Sequence, residues 1–154
     1  MPQLFLDLDG VLADFEAGAH DLLKMPAKQY QDRYGPGAFW KKLATAPDFY
    51  GTLPPLPDAH ELVNGVVHLD PIILTGLPIG KWAEPQKRAW VQRHFPGLQV
   101  ITTQARNKYT YCSPDDVLVD DQERYADAWE NAGGVFILHT DARSSLAAIR
   151  KSGL

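Results

Sequence analysis

The chain has 154 residues, 45% of them hydrophobic and 22% charged, the size and balance of one globular domain with a sizeable core. Its formal net charge of −4 speaks against an extended basic surface for polymeric nucleic acid, so an anionic ligand would need local positive charge. The single cysteine, Cys112, has no internal disulfide partner and no His or Cys at metal-site spacing, which fits a reducing, cytoplasmic setting. No apolar run approaches the roughly 20 residues that a membrane span needs, and no basic segment precedes the first apolar stretch.

In chain order, the first apolar segment, Leu4 to Leu8, is too short to favour a helix and predicts a buried strand, with Asp7 and Asp9 at its carboxyl end. Residues 14–57 show no clear strand. They cluster Phe15, Tyr30, Tyr34, Phe39, Trp40, Phe49 and Tyr50 and finish in the rigid run Leu53-Pro-Pro-Leu-Pro57, which reads as a small helical insertion. Asp58 with Glu61 forms a capping-box pattern, and Leu62, Val63, Val66 and Val67 supply an apolar helix face. A strand over Ile72 to Thr75 follows. A helix from about Pro85 to Phe95 sets Trp90, Val91 and Phe95 against Lys87, Arg88 and Arg93 and stops at Pro96-Gly97. Further strands are expected over Val100 to Thr103, Val117 to Asp120 and Val135 to His139. Between the last two lies a helix from Glu123 to Ala132, ended by Gly133-Gly134, and Ala142 to Lys151 closes the chain.

Strands alternating with helices imply a five-stranded parallel sheet covered on both faces, with ligands beyond the carboxyl ends of the strands. Asp7 and Asp9 stand at one such end and Asp120 and Asp121 at another. A lone acidic pair usually caps a helix or closes a turn. Two pairs at equivalent strand ends would instead make, if those strands are neighbours, an oxygen-rich site for a hard divalent cation such as Mg2+. Thr75 and Gly76 end the second strand with a hydroxyl and a backbone amide, and Lys108 adds a positive charge. Each alone is unremarkable, but together they suit a phosphoryl group. The five histidines are scattered and read as structural or surface residues.

Asp7-Leu-Asp9-Gly-Val11, Thr75, Lys108 and Asp120-Asp121 resemble, in order, the four motifs of the haloacid dehalogenase superfamily of phosphohydrolases. The resemblance implies a Rossmann-like α/β core of three layers. It casts Asp7 as nucleophile, Asp9 as general acid/base, and Asp7, Asp9 and Asp120 as magnesium ligands supported by Asp121. Thr75, Gly76 and Lys108 would then hold the phosphoryl group. More narrowly, Asp7 to Glu16, Phe39-Trp40, Arg106 to Thr110 and Leu118 to Asp121 look like the 5'(3')-deoxyribonucleotidase family. That likeness implies a core of residues 1–13 and 58–154, a helical cap of residues 14–57 after the first strand, and a nucleoside monophosphate as substrate. Phe15, Phe39, Trp40 and Arg106 would contact it, the aromatic rings by stacking on the base or, equally, by packing the cap. The chain departs from the family in carrying Gly76 where a serine is usual and in having a shorter insertion. Phosphatases of other small phosphoesters, and a noncatalytic phospholigand-binding domain, are the rival readings.

Overall fold

A computed structural model describes all 154 residues. Five parallel strands form one sheet: β1 (Leu4–Leu6), β2 (Ile72–Gly76), β3 (Gln99–Thr103), β4 (Val117–Asp120) and β5 (Val135–Leu138), in the order β3-β2-β1-β4-β5. The five-stranded parallel sheet expected from the apolar segments is therefore present. The central β1 pairs Leu6 with Ile73 on one side and with Val119 on the other. This register carries Asp7, whose amide donates to the Val119 carbonyl at 2.9 Å, alongside Asp120. The chain leaves β1 towards β2 and later returns to its other side as β4, so β1 is the switch point at which such sheets open a crevice.

Side chains alternate across the sheet as a strand requires. Leu4 and Leu6 enter the large apolar cluster, which also holds Leu62 and Val63 of α4 (Ala59–Val66), Trp90 and Val91 of α5 (Ala83–His94), and Ile149 of α7 (Ala142–Lys151). Phe5 points the other way into a small cluster with Leu74, Leu118 and Trp129. That second face has the thinner cover. The helix expected from Glu123 to Ala132 is a 3-10 turn, Glu123–Tyr125, followed by the short α6 (Ala126–Asn131), and the β3–β4 connection carries only a 3-10 helix, Ala105–Tyr111. Trp129 secures α6 by packing edge-on against Phe5 at 5.6 Å and donating its ring N–H to the Asp116 carbonyl at 3.1 Å.

The segment after β1 holds three helices, α1 (Phe15–Leu23), α2 (Ala27–Tyr34) and α3 (Pro36–Thr45). Asp14 caps α1 by accepting from the Ala17 amide, and Pro36 opens α3, where its missing N–H costs nothing. The two legs of the insertion are tied together, with the Asp14 amide donating to Pro54 and the Leu56 amide to Leu12, both at 2.8 Å. Helix α5 grips the returning leg. Its Gln86 accepts from the Tyr50 amide, Trp90 donates to the Leu53 carbonyl and Arg93 to the Gly51 carbonyl. Apolar packing runs without a break from the sheet into Leu23, Phe39 and Leu43 of the insertion.

Two local expectations are corrected. Asp58 precedes α4 but does not cap it; its Oδ2 accepts instead from the Ala142 amide at 2.7 Å, joining the starts of α4 and α7. Lys87 does not share the solvent with Arg88: it is 1% exposed, among Ala83, Trp90 and Val91 on the buried face of α5.

Candidate active site

Beyond the carboxyl ends of β1 and β4, ligand-capable oxygens of Asp7, Asp120 and Asp121 lie within 4.8 Å of one another. The turn that follows β1 makes this possible. Gly10 takes φ +82°, and a Cβ there would overlap the Asp121 carboxylate, so only glycine leaves room for it. Lys108, buried in the 3-10 helix after β3, donates to Asp7 Oδ1 at 2.9 Å and to Asp120 Oδ2 at 2.8 Å. Asp120 Oδ1 accepts from the Gln122 amide at 2.9 Å.

Crowded carboxylates resist ionisation, and here Asp7 and Asp120 are buried while Asp121 stands at the exposed rim of the group. Burial first, and then the Asp7 charge, push Asp120 up to about 6 against the opposing pull of Lys108. Loss of solvation, then Asp7 and Asp120, push Asp121 up to about 8. Burial alone would lower the Lys108 ammonium, but Asp7 and Asp120 outweigh it and raise its pKa. Three converging carboxylates with one shared ammonium fit a hard, oxygen-seeking divalent cation of the magnesium type, which would offset the remaining repulsion.

Asp121, expected behind the ligands, is part of the cluster, whereas the Asp9 side chain turns to Lys87, whose Nζ meets its Oδ2 at 2.8 Å. Thr75 is likewise differently employed. It is fully buried, and its hydroxyl oxygen accepts from Lys87 at 2.9 Å, so it does not present that oxygen to the cavity. Gly76 does line the cavity, and its carbonyl accepts from Lys87 at 2.6 Å.

A cavity of about 520 Å³ joins this acidic floor to the insertion, and Asp7, Asp9, Lys108, Asp120 and Asp121 share it with Phe15, Phe39 and Trp40. Phe15 is the hub of the aromatic wall, with ring centroids 6.3 Å from Phe39, 6.4 Å from Trp40, 5.5 Å from Phe49 and 6.1 Å from Tyr50. Phe39 is core, 1% exposed, while Trp40 is 38% exposed. Arg106 is exposed on the 3-10 helix and does not line this cavity. Lys28, Gln31, Arg124 and Tyr50 do line it, though sequence reasoning did not single them out for the site. A larger cavity of about 720 Å³, between α1 and the 46–54 loop, lies away from the carboxylates.

The architecture is that of haloacid dehalogenase-like hydrolases. It superposes on L-2-haloacid dehalogenase from Xanthobacter autotrophicus with TM-score 0.60 and 17% identity, over 100% of this chain and 84% of that one. A hydrolase from Streptococcus pneumoniae matches with TM-score 0.57 and 13% identity over 96% and 97%. No family model matches the chain. In sequence it is 30% identical, over 167 residues, to the mitochondrial 5'(3')-deoxyribonucleotidase of Mus musculus, covering 92% of this chain and 74% of the mouse protein. The chain belongs to the 5'(3')-deoxyribonucleotidase family. No helix is long and apolar enough to cross a membrane.

Proposed function

We propose that this hydrolase is a magnesium-dependent phosphomonoesterase working through an aspartyl-phosphate on Asp7, with deoxynucleoside monophosphates as substrates. The observation that carries the reading is the convergence of Asp7, Asp120 and Asp121 beside Lys108, at the floor of a cavity walled by Phe15 and Trp40. The mouse relative's name supports the nucleotide. Residues 14–57 act in this reading as a cap over a core of 1–13 and 58–154.

Asp7, Asp120 and Asp121 are the side chains that would hold magnesium. When bound, the ion supplies positive charge that lets a carboxylate approach a phosphate dianion. Asp7 attacks phosphorus, and Lys108, with two of its three ammonium N–H groups engaged, keeps one for a phosphoryl oxygen. Asp9 gives a proton to the departing sugar oxygen and then takes one from the water that hydrolyses the aspartyl-phosphate. Trp40 and Phe15 offer apolar faces to the base, and Gly76 borders the phosphoryl end. The lone Cys112 supports a reducing compartment such as the cytoplasm.

The test is turnover with Mg2+ on a panel of nucleoside monophosphates, sugar phosphates and 4-nitrophenyl phosphate. Deoxynucleoside monophosphates should give the highest kcat/KM. Sugar phosphates turning over faster than every nucleotide would overturn the substrate assignment, and hydrolysis of none of them would overturn the reaction.

A further inference from the structure

We infer that Lys87 is a positioning residue of this reaction, acting through Asp9 rather than on the substrate. The inference rests on the roles proposed above for Asp7 and Asp9.

Lys87 is among the most buried side chains of the protein, and its ammonium meets three acceptors: Asp9 Oδ2 at 2.8 Å, Thr75 Oγ1 at 2.9 Å and the Gly76 carbonyl at 2.6 Å. A lysine ammonium has three N–H donors, so all are spent on the protein. Lys108 differs, having two protein acceptors and one donor left. The remaining side of Lys87 is closed by the ring of Tyr50, whose centroid lies 4.5 Å from Nζ, and Tyr50 is itself held through its amide by Gln86. Lys87 thus has no donor free for a phosphoryl oxygen.

Its consequence falls on Asp9. A buried ammonium keeps its carboxylate partner, because losing it strands an unpaired charge. Asp9 Oδ2 is therefore fixed, and Oδ1 is the one buried side-chain oxygen or nitrogen in the protein without a hydrogen-bond partner. Asp9 also borders the cavity, and we assign proton exchange with the substrate to Oδ1, the oxygen that no protein donor engages. In the first step an oxygen of Asp7 bonds to phosphorus as the phosphorus–sugar oxygen bond breaks, and the proton on Asp9 Oδ1 passes to that oxygen, releasing the nucleoside. In the second, Oδ1 takes a proton from the attacking water while the bond between Asp7 and phosphorus breaks, yielding inorganic phosphate and free Asp7. A general acid helps only within hydrogen-bond reach of the leaving oxygen, and a misplacement of about 1 Å can cost about 100-fold.

Leaving-group dependence tests this. An alkoxide must be protonated as it leaves, whereas 4-nitrophenolate leaves without help. K87M should lose about 100-fold or more in kcat on a deoxynucleoside monophosphate, but less than about 10-fold on 4-nitrophenyl phosphate, with KM for both nearly unchanged. D9N should show the same asymmetry and D7N should lose both activities. Equal kcat losses on the two substrates would mark Lys87 as merely structural, and a raised KM on both with kcat kept would make it a phosphate ligand. Either result overturns the inference. If K87M does not fold, K87Q, which keeps N–H donors without the charge, is read in the same way. If the wild type hydrolyses no phosphomonoester, the proposed function fails and Lys87 is judged on crystal structures of wild type and K87M. An unmoved Asp9 carboxylate would then overturn the positioning role, and a rotated one would support it.

Discussion

Gly10 and Asp121 occupy adjoining space so closely that a methyl group on Gly10 and the Asp121 carboxylate cannot coexist as they stand. Gly10 also takes φ +82°, a conformation costing a residue with a side chain about 1–2 kcal/mol. Gly10→Ala is expected to destabilise the fold by about 1–3 kcal/mol and to displace Asp121 from Asp7 and Asp120. Denaturant unfolding measures the first effect and Mg2+ titration the second, where affinity should fall. Adding Asp121→Ala to Gly10→Ala should recover the part of the stability loss due to overlap, but not the part due to backbone conformation.

The same crowding sets a pH dependence. In the metal-free protein Asp121 is pushed up to about 8 and Asp120 up to about 6, from an ordinary 3.8. Raised carboxyl groups bind protons in the folded state that the unfolded chain has already released. Their stabilising contribution is thus full below about pH 4 and is lost as the pH rises through about 6 to 8. Divalent cation binding requires the ionised forms, so Mg2+ should release protons below about pH 8 and bind more weakly as pH falls. At a fixed concentration about 100 times its Kd at pH 8.5, Mg2+ should raise the Tm by about 5–10 °C near pH 8.5 and by less near pH 5.5, where its Kd is higher. Asp121→Asn should flatten that difference, and an unchanged difference in the variant would exclude Asp121 as its source.

The number and parallel type of the strands, and the acids at the ends of β1 and β4, were legible because short apolar runs ending in acids have few structural solutions. Register supplied what periodicity lacks. Leu6 beside Val119 is what puts Asp7 beside Asp120. Charged residues on helices usually face solvent, so nothing in its type marks Lys87 as buried, yet its spacing held the signal. It lies four residues after Ala83 and three and four before Trp90 and Val91, on the apolar stripe. Arg106 and Lys108 sit two apart on a 3-10 helix of about three residues per turn, so burying one turns the other outward. Asp58 shows the limit of local patterns, since a capping-box sequence cannot reveal that another helix's amide, that of Ala142, takes the carboxylate.

Phe39 and Trp40 are adjacent in sequence and differ in burial, which separates packing from substrate contact. Phe39→Ala should cost about 3–5 kcal/mol of stability, as for other large buried rings. Trp40→Ala should cost far less, because the ring is 38% exposed. If Trp40 stacks on the base, worth about 1–3 kcal/mol, its removal should raise KM for nucleotides by about 5- to 150-fold. KM for a base-free sugar phosphate should stay nearly constant. An equal rise for both substrates would assign Trp40 to shaping the cavity alone.

Asp7 carries the heaviest demand. Replacing it by asparagine keeps its volume while removing the nucleophile, so turnover should fall by more than about 1000-fold on every phosphomonoester, good leaving groups included. Acid quenching with radiolabelled phosphate ester should trap label on the wild type and none on Asp7→Asn. Stability should move differently. Asp7 accepts from Lys108 but also crowds Asp120 and Asp121, so the metal-free variant should melt close to the wild type while losing much of the Mg2+-dependent rise in Tm. Lys108→Met makes the complementary case, stranding Asp7 and Asp120 in a buried site at a cost of about 3–5 kcal/mol without metal. A Lys108→Met protein as stable as wild type without metal would show that the two carboxylates do not depend on that ammonium, and that their repulsion is relieved elsewhere.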